Sequence, residues 1–201
     1  MPNIITHIDQ LDPNGTYTYA DYLMWQFQER LELIKGHIFK MAAPTANHQR
    51  ISTRIVRELA AYLRHKKCEV FAAPFDVRLI DFQKSTTDCE IRTVVQPDIC
   101  IVCDRNKLDR RGCLGAPDLI IEILSHSTAK KDLKDKYALY EENQVKEYWI
   151  VDYNTTQVFD LNKAGKYQLR KIYSPDDEVP VGIFSDCIIN LTDIFEDLDD
   201  Y

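Results

Sequence analysis

The run PDLIIEILS (residues 117–125) is the most informative part of the sequence, because it places one carboxylate inside an otherwise apolar stretch. Apolar residues on both faces between Leu119 and Leu124 are typical of a strand buried on both sides, which predicts a central strand of a sheet. Glu122 lies in this strand, where an unpaired carboxylate costs several kcal/mol. It therefore needs a metal ion, a cationic partner or hydrogen-bond donors. A purely structural ion pair with a buried Arg or Lys is the alternative to a functional site.

A second carboxylate opens the neighbouring apolar run QPDICIVCD (residues 96–104). Pro97 marks the start of this predicted strand, and Asp98 follows it. If the two strands pair, Asp98 and Glu122 meet, and carboxylates that close repel each other unless a divalent cation lies between them. Such oxygen ligands favour Mg²⁺ or Mn²⁺ over Zn²⁺. Asp118 lies about 13 Å along the strand from Glu122, too far to share an ion, and is predicted to be a turn residue.

A helix is predicted over residues 127–143, and it carries the candidate cation of the site. At about 100° per residue, Lys136 falls between Leu139 and Tyr140 on the apolar side of this helix. Lys136 is therefore the predicted third member of the site. Two alternatives stay open: its stem lies over the core edge with the ammonium in water, or it pairs with Asp132 one turn earlier.

The remaining pattern predicts an α/β or α+β fold with a mixed central sheet flanked by helices. A first helix is predicted over residues 18–31 with Thr18 as its N-cap, an N-terminal hairpin around Lys35-Gly36, and a long amphipathic helix over residues 47–65. VKEYWIVDY (residues 145–153) predicts another buried strand. Further strands are predicted at residues 69–71, 76–79, 157–160 and 167–172, and a short helix in the acidic tail, residues 191–201.

Length and composition favour one domain spanning residues 1–201. No tract of about 18 apolar residues exists, so the chain is not expected to be embedded in a membrane. Residues 1–12 lack the basic start and apolar run of a secretory signal, which favours a cytoplasmic location.

The net charge of −7 argues against a general nucleic-acid coat protein. It leaves room for a nuclease, which needs only a local basic surface.

Six cysteines are scattered along the chain, and only Cys100 and Cys103 are spaced as a CxxC pair. They fall in a predicted strand, where residues three apart point to opposite faces and cannot chelate one ion. The cysteines are therefore expected to be reduced core thiols rather than a zinc site.

Taken together, these motifs resemble the Uma-type restriction endonucleases. The resemblance covers about residues 18–195 and is carried by PDLIIEILSHST (117–128), Asp132, Lys136, Tyr140, VKEYWIVD (145–152), QPDICIVCD (96–104) and LELIKGHIFKMAAPTANHQRIS (31–52). It implies the PD-(D/E)XK nuclease fold, with Asp98 as the motif aspartate and Glu122 as the motif acid.

One position departs from the usual motif of that superfamily. A lysine normally stands two residues after the acid, whereas this chain has Leu124 there. Lys136, supplied by the following helix, is our hypothesis for a migrated replacement. The resemblance also makes Glu32 a candidate extra metal ligand and His48 a candidate for positioning water or phosphate. A solvated glutamate and a helix-capping histidine are the respective alternatives.

The resulting expectation is a magnesium- or manganese-dependent endonuclease that hydrolyses DNA phosphodiester bonds. Asp98 and Glu122 are expected to hold the metal, and Lys136 to orient water or stabilise charge. A non-catalytic module of the same fold, binding nucleic acid or a protein, is the alternative. Symmetry considerations add a homodimer as a further expectation.

Overall fold

The computed structural model describes residues 4–80, 86–124 and 129–198, with side chains in the third range described from residue 134 onward. The α-helices in these ranges are α1 (Tyr19–Tyr22), α2 (Ala46–Leu63), α3 (Ala129–Glu142) and α4 (Leu191–Phe195). The strands are β1 (Leu31–Ile34), β2 (His37–Lys40), β3 (Glu69–Ala72), β4 (Val77–Leu79), β5 (Thr93–Val95), β6 (Ile99–Val102), β7 (Leu108–Asp109), β8 (Gly112–Leu114), β9 (Leu119–Ile123), β10 (Glu147–Asp152), β11 (Thr155–Leu161), β12 (Tyr167–Tyr173), β13 (Glu178–Pro180) and β14 (Ile188–Asn190). Within the described ranges, no helix is both long enough and apolar enough to span a bilayer.

The strands form two mixed six-stranded sheets and a small hairpin. The first sheet has the order β2-β1-β5-β4-β8-β7, and the second has the order β12-β11-β10-β9-β6-β3. In the second sheet β9 pairs parallel with β10 and antiparallel with β6. The predicted mixed α+β class is confirmed. The single central sheet is corrected to two, because the N-terminal hairpin β1–β2 pairs with β5 and so belongs to the first sheet.

The predicted central strand is β9, and apolar layers cover both of its faces. On one face Ile121 packs in a cluster with Ile51, Ile55 and Leu59 of α2, all fully buried. On the other face Ile120 packs with a cluster that includes side chains from α3 and the first sheet. Fully burying such a side chain stabilises a fold by about 1.5–3 kcal/mol. The unbroken apolar run around Glu122 therefore reflects a strand enclosed on both sides.

Most other predicted elements are present with shifted ends. The long helix predicted over residues 47–65 is α2, and the short helix in the tail is α4. The predicted start of α3 at residues 127–128 lies outside the described residues, and the helix is described from Ala129 to Glu142.

The first helix was predicted too long. It ends at Tyr22 rather than continuing to residue 31, although Thr18 caps it as expected. The chain beyond it pairs with the N-terminal segment: the Ile5 amide donates to the Met24 carbonyl, and the Gln26 amide donates to the Ile5 carbonyl. Tertiary pairing of the backbone thus overrides the helical spacing of the aromatic residues.

The cysteine prediction was wrong for one pair, because Cys68 and Cys103 form a disulfide. In the antiparallel pairing of β3 with β6, Glu69 stands opposite Val102. Cys68 and Cys103 flank that pair and so face each other. Cys89 is a free thiol but exposed, which also differs from the prediction. The free thiols that are buried, as expected, are Cys100, Cys113 and Cys187.

Candidate active site

Pairing of β6 with β9 brings the two predicted acidic residues together. Ile99 stands opposite Ile121 in this antiparallel ladder, so Asp98 lies across from Glu122 at its end. Asp98 Oδ2 accepts a hydrogen bond from the Ile123 amide at 2.8 Å. Asp98 is thereby fixed beside the acidic residue of the neighbouring strand.

Lys136 reaches this point from α3. Its Nζ lies 3.0 Å from Glu122 Oε1 and 3.0 Å from Glu32 Oε1, and its side chain is only 12% exposed. The ammonium is therefore enclosed between two carboxylates, and a lysine head in open water is excluded. The side chain of Asp132, the other partner considered for Lys136, lies outside the described residues.

Tyr140 lies one turn after Lys136, and sequence analysis missed its role. Its hydroxyl donates to Glu122 Oε1 at 2.6 Å, and its side chain is fully buried. Two donors of α3 therefore hold the same carboxylate oxygen. Tyr140 is among the residues that carry the family resemblance, but a tyrosine on the apolar side of a helix is usually a core residue, so this contact was not predicted.

Glu32 enters the site from β1. It is buried, and its Oε1 accepts hydrogen bonds from the Gln96 amide at 2.9 Å and from Lys136 Nζ. The alternative of a solvated glutamate is therefore wrong. Gln96 was also missed by sequence analysis, although its position directly before Pro97-Asp98 is a signal that was available.

His48 is the third residue of α2. Its Nε2 lies 3.1 Å from Asp98 Oδ2, and the side chain is buried. The helix is capped by Thr45, whose hydroxyl accepts from the His48 amide, so the capping-histidine alternative is wrong. Burial lowers the pKa of His48, but its hydrogen bond to Asp98 outweighs this effect and the pKa is raised overall.

Burial and charge shape the electrostatics of the site. Burial raises the pKa of Glu122 to about 7; Lys136 acts to lower this pKa, while Asp98 and Glu32 act to raise it. For Lys136, burial lowers the pKa, but Glu122 and Glu32 raise it well above its usual range, so the ammonium stays charged. Burial also raises the pKa of Tyr140, which remains a neutral donor. Glu32 and Glu122 thus enclose one lysine, and Asp98 lies across from Glu122 on the neighbouring strand.

One cavity of about 320 Å³ contains the whole group of predicted site residues. Its lining includes Glu32, His48, Asp98, Glu122 and Lys136. Its other walls come from the hairpin and from α2, with apolar side chains such as Phe39 and Val56. The cavity is large enough to admit a small group such as a phosphodiester to the acidic residues.

The donor set fits a magnesium or manganese ion. Among the described residues, Asp98 Oδ1 and Glu122 Oε2 accept no hydrogen bond, which leaves one oxygen of each carboxylate available. Within the same part of the chain, no group of three or more His, Cys, Asp or Glu side chains is arranged to hold a metal. Two carboxylates with the other positions taken by water suit Mg²⁺, which dehydrates reluctantly.

The fold is of the restriction-endonuclease-like class. It is similar to the crystal structure of a "putative nuclease belonging to DUF820" from Anabaena variabilis, with a TM-score of 0.67. The alignment covers 89% of this chain and 97% of that one, at 19% sequence identity. At this sequence identity, the structural similarity establishes the fold and nothing further.

The chain belongs to the Uma2 family, described as "putative restriction endonuclease", whose model matches residues 19–192. It is also similar to two proteins of Synechocystis, "Uncharacterized protein slr1290" and "Uncharacterized protein sll1609". The first is 26% identical over 143 residues, which is 70% of each chain. The second is 28% identical over 156 residues, which is 75% of this chain and 83% of that one. The predicted Uma-type family is thus confirmed.

Proposed function

We propose that this protein is an endonuclease that hydrolyses DNA phosphodiester bonds and depends on Mg²⁺ or Mn²⁺. The observation that carries the proposal is the convergence of Asp98, Glu122 and Lys136 in one cavity. The description of the Uma2 family as restriction endonucleases and that of the Anabaena protein as a nuclease support the same class of activity.

In this proposal Asp98 and Glu122 would hold the metal, which would supply an activated water and neutralise charge on the phosphoryl oxygens. Lys136 remains cationic and preorganised, so it stabilises the negative charge that develops on the phosphate without reorganisation. Lys136 takes the role of the lysine that Leu124 replaces.

Glu32 acts through Lys136, and His48 acts through Asp98. Glu32 Oε1 holds the Lys136 ammonium from the side opposite Glu122, at 3.0 Å. His48 Nε2 engages Asp98 Oδ2, so Asp98 Oδ1 would be the oxygen available to a metal. Both residues are accordingly assigned positioning roles.

The test compares nicking of supercoiled plasmid by the wild type and by Glu122→Gln in Mg²⁺. Glu122→Gln keeps the side-chain shape and removes one metal ligand charge, so we expect nicking to fall at least about 100-fold. Glu142→Gln is the matched control, because Glu142 is an exposed residue of α3 that pairs with Lys35 on the surface. Nicking by Glu122→Gln at the wild-type rate, with an intact circular dichroism spectrum, refutes the proposal.

A non-catalytic nucleic-acid or protein binding module is the second candidate. The observation in its favour is that the Lys136 ammonium already bridges Glu32 and Glu122, which supplies a cation without any metal. Isothermal titration with Mn²⁺ separates the two candidates. A single site that disappears in Asp98→Asn supports the nuclease, whereas the absence of binding to the wild type supports the module.

Three further expectations stay predictions: the single domain spanning residues 1–201, the homodimer and the cytoplasmic location. Light scattering of the purified chain measures its mass in solution and decides between monomer and dimer.

A further inference from the structure

Arg30 lies at the wall of the cavity and is not part of the acidic group. It directly precedes β1 and stands two residues before Glu32, so both side chains project from the same strand face. Arg30 lines the cavity together with Glu32, Asp98 and Glu122. A cationic side chain therefore lies within the space that a substrate would enter.

The partner of the Arg30 guanidinium is a neutral amide. Its Nε and Nη2 donate to Gln96 Oε1 at 3.1 and 2.7 Å. Gln96 is the hydrogen-bond partner of the guanidinium, and the Asp76 carboxylate lies close enough for the Arg30 charge to act to lower the Asp76 pKa. The nearby Glu32 uses its Oε1 for the Gln96 amide and Lys136 instead. Arg30 is consequently held in place by a neutral amide, with Asp76 behind that amide rather than in direct contact with the guanidinium.

Gln96 makes this placement rigid. It is buried, and its Nε2 donates to Asp76 Oδ1 at 2.8 Å, which fixes the orientation of the amide. Two of the five guanidinium N–H donors of Arg30 are used by Gln96. The other three have no acceptor among the described residues. A prepositioned guanidinium loses little side-chain entropy when it binds a ligand.

The ligand chemistry that matches this arrangement is a phosphate group. An open guanidinium edge donates two parallel N–H bonds to two oxygens of one anion, and phosphate presents such a pair. We propose that Arg30 binds a phosphate of the nucleic-acid substrate next to the phosphodiester that reacts. This inference rests on the proposed function, and it adds the residue that holds the substrate backbone beside the acidic group.

The experiment measures binding of a fluorescein-labelled 20-base-pair DNA duplex by anisotropy, in EDTA, as a function of salt concentration. Loss of one phosphate contact reduces the slope of log K against log salt by about one. We expect Arg30→Gln to show this change together with about tenfold weaker binding at low salt. Arg30→Lys keeps the charge but not the two-pronged geometry, so it restores the slope and only part of the affinity.

Arg64→Gln is the matched control. Arg64 follows the last residue of α2 and lies about 24 Å along that helix from His48, so its loss leaves the slope unchanged. Equal slopes for the wild type, Arg30→Gln and Arg64→Gln overturn the inference. Absence of any DNA binding by the wild type also overturns it.

Magnesium-dependent plasmid nicking by the same samples separates this inference from the proposed function. A slope change confined to Arg30→Gln, in a protein that does not nick, supports the phosphate contact and refutes hydrolysis. Nicking and DNA binding that are identical in the wild type and Arg30→Gln refute the contact and leave hydrolysis standing.

Discussion

Replacing Tyr140 with Phe removes one hydroxyl from the centre of the candidate site and changes little else. That hydroxyl is fully buried and donates to Glu122 Oε1 at 2.6 Å. Lys136 remains as the second donor to the same oxygen, so the carboxylate keeps one partner. The substitution therefore isolates a single hydrogen bond.

At a pH above the Glu122 pKa of about 7, the carboxylate is charged and a hydrogen bond to it contributes about 1.5–3 kcal/mol, so we expect the free energy of unfolding of Tyr140→Phe to fall by about that amount. For a chain of this length, this corresponds to a decrease in Tm of roughly 3–12 °C. Urea denaturation followed by circular dichroism measures the first quantity, and calorimetry measures the second.

Tyr148→Phe is the matched control. The rings of Tyr140 and Tyr148 lie 5.2 Å apart and both are fully buried, but the Tyr148 hydroxyl has no hydrogen-bond partner among the described residues. Removing an unsatisfied buried hydroxyl costs little or stabilises. If Tyr140→Phe is no less stable than Tyr148→Phe, the Tyr140 hydroxyl does not hold Glu122, and the described contact between α3 and this carboxylate is wrong.

A further substitution tests the buried charges, and chemical reduction tests the disulfide. Lys136→Met leaves Glu32 and Glu122 buried without their cation, so we expect the free energy of unfolding measured by urea denaturation to fall by about 3–5 kcal/mol. Adding Glu122→Gln to this variant should recover part of that loss. If the losses of the two single variants simply add in the double variant, Lys136 and Glu122 are not coupled. Reduction of the Cys68–Cys103 disulfide, which closes a loop of 35 residues, is expected to lower the free energy of unfolding by about 4 kcal/mol. Urea curves with and without dithiothreitol measure this effect, and identical midpoints would rule it out.

The central strands could be predicted because enclosure on both faces leaves an unbroken apolar run. The strand predicted within residues 96–104 is β6, and β9 ends one residue before the predicted Leu124. A charge inside such a run is conspicuous, which is why Glu122 and Asp98 stood out. Lys136 stood out for the same reason, since a lysine on the apolar side of a helix is unusual.

Features that depend on pairing between distant segments could not be predicted. The split into two sheets follows from pairing of the hairpin with β5, and the disulfide follows from the β3–β6 register. Neither register leaves a local pattern in the chain. Tyr140 and Gln96 both lie in the motifs that carry the family resemblance, but their contacts with Glu122 and Glu32 appear only once α3 and β1 are placed against the strands.

The Lys136 bridge joins parts of the molecule that are made at very different times. Glu32 belongs to the first sheet and Glu122 to the second, and Lys136 follows Glu32 by 104 residues. During synthesis, Glu32 leaves the ribosome long before its cation exists, and refolding must close the same long loop before the two meet. A nascent or half-folded chain therefore lacks the assembled candidate active site. Any chemistry of this site begins only when folding is complete.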